Sequence, residues 1–374
     1  MEVPLLKIPI TEPEAARLGE EFRDLLLSGR LAMGGRCRRF EEAFAAFAGT
    51  RTALGCPSGT AALELIFRAL DVRGKSVLVP GLTFMATALA AAAAGAKIIL
   101  ADVESRTFQL DPAEVREKIQ PGTAAAVLVH LGGFISGQWT EIKSLADANG
   151  SCLVEDAAHA AGAKDGSAAA GSLGRAAAFS FYPTKVLTTA EGGMVTTDDE
   201  ELARKMAVLR QHGQEKPGSN IHEHFGLNFR PSEIHALLGL LMMEKADWIL
   251  AERRKAAAVY DRLFSNTPVA AVRPPAGNQP AYYKYMALLP EKVCRSKLKQ
   301  RLKDEYQVSL AGEVYTTPLN RQPFFIQNPG VLAAPLTALP VSEMISQRQI
   351  CLPIWPGLSL EAQEYAADCL LKCL

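Results

Sequence analysis

Over about the first 230 residues, short apolar runs alternate with longer stretches whose apolar residues recur at helical spacing. This alternation is the strongest constraint on the fold, and it points to a layered α/β unit with a mostly parallel sheet. Strands are predicted over 76–79, 97–102, 124–130, 151–155, 177–181 and 193–196, and helices over 60–70, 84–94, 111–119, 141–149 and 199–212. The strands read as continuous apolar runs, as strands covered on both faces do. A long helix is predicted from 231 to at least 257 and can carry the chain out to a second unit. A stretch rich in Pro, Gly and Asn (266–281) follows as a boundary loop. Beyond it, a strand over 282–289 and helices over 297–306 and 359–374 make a small α+β unit. The expected division is a large α/β domain with the N-terminal segment, 1–250, and a small C-terminal α+β domain, 251–374.

Composition narrows the partners. The 40 basic residues balance 40 acidic ones with no basic tract, so neither nucleic acid nor a membrane is an expected partner. The seven cysteines are odd in number, scattered and without a CxxC pair, which argues against a zinc site or a disulfide framework and for a reduced, cytoplasmic setting. The opening residues lack a signal-peptide pattern. The run 85–100 is apolar but short and alanine-weighted, and it reads as a helix entering a strand rather than a membrane span. Two motifs are set aside. Gly132-Gly133-Phe134-Ile135-Ser136-Gly137 follows a predicted strand without the spacing of a dinucleotide loop. His222 and His224 flank Glu223 without a matching ligand cluster, so no metal is expected.

Two positions stand out chemically. Lys185 ends the run Ala-Ala-Phe-Ser-Phe-Tyr-Pro-Thr-Lys, and Asp156 follows the apolar run before Ala-Ala-His. A lysine after one strand and an aspartate after another are what a pyridoxal phosphate enzyme requires. The amine forms a Schiff base with the cofactor aldehyde, and the acid keeps the pyridine nitrogen protonated so that the ring takes up electrons. Glu155 is the competing acid, but strand alternation sends it to the opposite face. Ser58, Gly59 and Thr60 precede a predicted helix, where free N–H groups and the dipole favour a phosphate; the same residues also suit an ordinary helix cap. Phe84 is either a lid over a cofactor ring or core. His159 either meets the cofactor or is a satisfied, partly buried histidine. Ser180 can offer its hydroxyl to a phosphate.

Together these runs resemble the sugar aminotransferases of the DegT/DnrJ/EryC1/StrS family, a branch of fold-type I pyridoxal phosphate enzymes. The resemblance covers nearly the whole chain, through Ser28–Gly34, Ser58–Leu63, Glu155–His159, Ser180–Lys185, Glu191–Met194, Gly226–Glu233 and Leu352–Gly357. It implies a large domain with a mostly parallel mixed sheet between helices, plus a small α+β domain. Lys185 would be the Schiff-base lysine and Asp156 the pyridine partner. Ser58, Gly59, Thr60 and Ser180 would hold the phosphate, Phe84 and His159 would border the ring, and Asn228 and Arg230 would cross to the neighbouring subunit's site. A homodimer with shared sites follows. The reaction implied is ping-pong transfer from glutamate or glutamine, through pyridoxamine phosphate, to a keto sugar on a nucleotide. Tyr315 and Asn320 would meet the substrate.

Departures from the family pattern are His159 for Gln, Ala190 for Gly, and Val314 and Asn320 for His; the last two lie on the acceptor side. Lys185 argues against the dehydratase branch, which carries His there. A lyase or dehydratase on a related sugar is the alternative chemistry, and a non-catalytic ligand-binding regulator is the third reading.

Overall fold

The structure, a computed structural model, describes every residue except 5, 217 and 311. Its centre is a seven-stranded sheet in the spatial order Thr52–Cys56, Gly193–Thr197, Ala176–Ser180, Cys152–Asp156, Thr123–Val129, Ser76–Pro80, Lys97–Ala101. All run the same way except Gly193–Thr197, which is antiparallel to both neighbours. The α/β reading is therefore right, and the predicted strands lie within a few residues of the observed ones. Two core clusters cover the sheet on opposite faces. Val77, Val79, Val127 and Val154 belong to one, while Leu78, Leu128 and Leu153 belong to the other. This alternation explains why each strand reads as an unbroken apolar run.

Several elements were not predicted. Helices Glu12–Ser28 and Gly35–Ala48 precede the sheet, and each ends on a left-handed glycine, Gly29 at φ 64° and Gly49 at φ 69°. The edge strand Thr52–Cys56 was also missed, since its residues Thr-Ala-Leu-Gly-Cys carry little strand preference of their own. Its ladder partner lies some 140 residues on, Leu54 opposite Val195 and Cys56 opposite Gly193.

The long helix spans Glu233–Leu263, and Ser232 caps it by accepting from the Ile234 N–H at 3.2 Å. The division expected at 250/251 falls inside it. Buried Arg253 on this helix donates to the carbonyls of Tyr282 (3.0 Å) and Ile354 (3.2 Å), and Arg254 donates to Pro280 (2.9 Å). These bonds tie the helix to the segment entering the small antiparallel sheet Ala270–Ala271, Tyr285–Leu288, Gln349–Leu352. The predicted boundary loop holds two short strands, Ala270–Ala271 and Asn278–Gln279. The strand expected from 282 starts at Tyr285. Tyr282 has φ 47°, off the strand conformation, and the next residues hang from a glycine turn instead.

That turn is the set-aside Gly132-Gly133 pair. Ala281 N–H donates to Gly133 O (2.9 Å) and Lys284 N–H to Gly132 O (3.2 Å). Gly133 has φ 95°, and a Cβ there would meet His159 O at 2.8 Å and Tyr283 N at 2.9 Å. Only glycine fits this approach.

Candidate active site

The carboxyl ends of Cys152–Asp156 and Ala176–Ser180 open onto a cavity of about 500 Å³, lined among others by Ser58, Thr60, Phe84, Asp156, His159 and Lys185. An open parallel sheet places its ligand sites at this edge.

Asp156 is buried and fully engaged. Its Oδ2 accepts from Thr87 Oγ1 at 2.7 Å, and its Oδ1 accepts from the Ala158 N–H at 3.2 Å. Thr83 lies 2.8 Å from Thr87, so one hydroxyl braces the next. Both threonines flank Phe84, and the sequence reading passed over them. Glu155, one residue earlier, is buried on the other face. It meets His130 at 2.8 Å and accepts N–H bonds from Gly171, Leu173 and Gly174, so it is structural, as alternation predicts.

Lys185 sits in the turn after Ala176–Ser180, its N–H donating to Tyr182 O at 2.9 Å. Its Nζ lies 4.6 Å from the centre of the Tyr283 ring. Burial pushes the amine down to about 8, Asp156 pulls it back up, and Lys284 pushes it further down. The amine is therefore largely available as a nucleophile slightly above neutral pH.

Ser58 begins the helix Gly59–Ala69 and accepts from the Ala61 N–H at 3.1 Å, so it is a cap. Helix geometry leaves the first N–H groups without intrahelical partners, at residues that line the cavity. The cradle is tight. A Cβ on Gly59 would meet Ser180 Cβ at 2.8 Å, and one on Gly193 would meet Ser58 O at 2.2 Å. Glycine at both positions lets the helix start close against the strand ends.

His159 is buried, and its Nδ1 accepts from the Gly132 N–H at 3.3 Å. Burial, then the charges of Lys185 and Lys284, hold its pKa well below the ordinary value, so the ring is neutral with its proton on Nε2. That nitrogen faces Tyr315 Oη at 3.5 Å. The ring packs on Tyr283 with centroids 4.2 Å apart. Tyr283, whose hydroxyl meets Thr184 at 2.9 Å, was read only as part of a strand. Phe84 is 60% exposed and has its ring centroid 5.9 Å from that of Tyr315.

Three predicted residues lie elsewhere. Asn228 is exposed, Arg230 is half-buried, and neither lines the cavity. Asn320 is buried outside the lining, its amide donating to Thr337 O (3.1 Å) and Glu343 Oε1 (2.8 Å). Among the described residues, no cluster of three His, Cys, Asp or Glu is placed to hold a metal. His222 instead meets His212 O, and His224 meets Glu215, each at 2.8 Å.

An amine of lowered pKa, a braced acid, a helix start shaped by glycine and a cavity of this size together fit pyridoxal phosphate. The fold and site define a fold-type I pyridoxal phosphate enzyme. The chain belongs to the DegT/DnrJ/EryC1/StrS aminotransferase family, which it matches over residues 13–371. It is 33% identical to a pleiotropic regulatory protein of Geobacillus stearothermophilus, over 98% of this chain and 97% of that protein. It is 32% identical to the dTDP-3-amino-3,4,6-trideoxy-alpha-D-glucose transaminase of Micromonospora megalomicea subsp. nigra, over 94% and 93% of the two chains. The structure of S. venezuelae DesV superposes with a TM-score of 0.88 at 30% identity, covering 96% of this chain and 95% of that one.

Proposed function

We propose that this aminotransferase moves an amino group from glutamate or glutamine to a keto sugar linked to a nucleotide, in two half-reactions sharing one cavity. The observation that carries the reading is the convergence of the Lys185 amine, the braced Asp156 and the Gly59–Ala69 helix start on that cavity. The nucleotide-linked acceptor is supported by likeness to the dTDP-sugar transaminase.

Bound pyridoxal phosphate supplies an aldehyde that takes up an amine and a ring that accepts the electron pair left on a substrate carbon. Lys185 Nζ would hold that aldehyde, and the same amine is the group placed to move a proton at the substrate carbon, as base and then acid. Asp156 would meet the ring nitrogen and hold its proton. Ser58, Gly59, Thr60 and Ser180 would hold the phosphate, and His159 and Phe84 would border the ring. Tyr315, whose hydroxyl burial keeps protonated, with the charge of Asp156 acting the same way, meets the substrate. Asn320 drops out of this reading because Glu343 and Thr337 engage its amide away from the cavity.

We also assign Asn228 and Arg230 to the neighbouring subunit's site. Their loop shows Ile221 (61% exposed) and Phe225 (74%) to solvent, as an interface would. A cytoplasmic setting is supported by the unpaired state of all seven cysteines.

The test is the visible spectrum of the protein with pyridoxal phosphate, before and after adding glutamate or glutamine. The expected result is a band that either donor discharges and that Lys185→Ala lacks, with turnover abolished in that variant. A Lys185→Ala protein retaining substantial turnover would defeat the assignment. A band indifferent to both donors, with elimination products from a keto sugar, moves the protein to the lyase reading. Ligand binding without any nitrogen transfer moves it to the regulator reading.

A further inference from the structure

Tyr283 meets the turn that carries Lys185 at two points. Its ring centre lies 4.6 Å from Lys185 Nζ. Its hydroxyl meets Thr184 Oγ1 at 2.9 Å. The two contacts land on adjacent residues, and Thr184, Lys185 and Tyr283 all line the cavity. The same ring packs on His159, with centroids 4.2 Å apart and planes inclined at 31°.

The backbone at Tyr283 is clamped. Ala281 N–H donates to Gly133 O, Lys284 N–H donates to Gly132 O, and a Cβ on Gly133 would meet Tyr283 N at 2.9 Å. The turn carrying Lys185 follows the end of strand Ala176–Ser180 and closes on the local bond from Lys185 N–H to Tyr182 O. It contains Pro183, which has no N–H to give. The Thr184–Tyr283 bond ties this turn to a segment 99 positions on.

A lysine amine rides on a long flexible stem, so one that must meet a single aldehyde and a single substrate carbon gains from a seat. An aromatic face attracts an ammonium through its quadrupole, and a neutral amine can turn an N–H towards the same face. The ring therefore serves the amine in both protonation states. A small error of placement at a reacting group costs rate steeply.

Resting on the aminotransferase reading above, we propose that Tyr283 is a positioning residue for Lys185: its ring seats the amine, and its hydroxyl, through Thr184, fixes the turn that carries it.

The test uses the full chain and three variants, Tyr283→Leu, Tyr283→Phe and Thr184→Val. Growth of the visible band after adding pyridoxal phosphate to cofactor-free protein reads Lys185 without any donor. Discharge of that band by glutamate or glutamine is followed in parallel. Tyr283→Leu should slow band growth and the limiting rate of discharge about 10- to 100-fold, with the half-saturating donor concentration changed by less than about threefold. Tyr283→Phe keeps the ring and should restore most of the rate. Thr184→Val should match it, each being slower than wild type by about two- to fivefold. The double variant, Tyr283→Phe with Thr184→Val, should be no slower than either single one, because both remove the same bond. Wild-type rates in Tyr283→Leu would overturn the inference. So would a loss confined to the half-saturating concentration, which is what a donor-binding role gives. Should Tyr283→Leu not fold, the conservative pair decides: losses that multiply in the double variant, or no loss in either single one, would overturn the inference. Band growth alone decides if neither donor discharges the band. A wild-type protein that takes up no pyridoxal phosphate fails at the earlier reading instead.

Discussion

At the residue scale, the site depends on what burial does to individual groups. Lys185 is held with its amine near 8 against an ordinary value of 10.5. Its folded pKa lies below its unfolded one, so the unfolded chain binds the extra proton. The resulting destabilisation is fully present below about 8 and disappears as pH rises from there to 10.5. Lys185→Met should therefore stabilise the cofactor-free protein at pH 7 by about 2 kcal/mol, the full shift being discounted for residual contact with water. Chemical denaturation across that range should show the gain shrinking towards pH 10.5; a gain independent of pH would assign it to packing alone. Thr87 makes a second case. Thr87→Val leaves Asp156 Oδ2 without the donor now at 2.7 Å, and cofactor affinity should fall about tenfold in a pyridoxal phosphate titration. Lys185 and Asp156 were legible because each follows a recognisable strand. Thr83 and Thr87 lie four apart in a run already singled out, but only the fold brings the strand Cys152–Asp156 alongside them.

Among the elements, the start of helix Gly35–Ala48 shows how distant segments complete one another. Glu233, at the head of the long helix, accepts from the N–H groups of Gly34 (2.9 Å), Arg36 (3.0 Å) and Cys37 (2.7 Å). A Cβ on Gly34 would stand 2.8 Å from the Glu233 carboxyl carbon, so a side chain there would shift the carboxylate off these N–H groups. Burial works against the charge of Glu233, but these bonds win and hold its pKa below the ordinary carboxylate value. Its folded pKa is the depressed one, so its contribution is present at neutral pH and lost as pH falls below the carboxylate range. Glu233→Ala should cost about 3 kcal/mol at neutral pH in urea denaturation, and much less near pH 3. An equal loss at both pH values would remove the charge from the account. Both partners stand in family motifs, yet nothing in the sequence joins them across the separation of 199 positions from Gly34 to Glu233.

At the scale of the whole molecule, the open question is how copies of the chain meet. Asn228 and Arg230 lie off the cavity on an exposed loop, while Lys185 and Asp156 lie in it. If each site borrows that loop from its neighbour, mixing Lys185→Ala chains with chains carrying Asn228→Ala and Arg230→Ala should restore one intact site per mixed dimer. Activity after mixing and re-equilibration should then exceed the sum of the two parents. Simple additivity would place every catalytic group in one chain.

By itself the sequence determined the layered α/β architecture and the long helix, and it singled out Lys185 and Asp156, which line one cavity. Strand alternation, helical periodicity and the residue types a cofactor requires are all local signals that survive in a linear string. Tertiary structure alone decided the rest. It paired Thr52–Cys56 with Gly193–Thr197, braced Asp156 with Thr87, and turned Gly132-Gly133 from a false dinucleotide motif into the hinge that sets His159, Tyr283 and Lys284. It also withdrew Asn320 from the cavity and assigned its amide to Glu343. Each of these is a contact between segments far apart in sequence, fixed by which buried groups satisfy one another, and such a contact leaves no periodic trace in either segment.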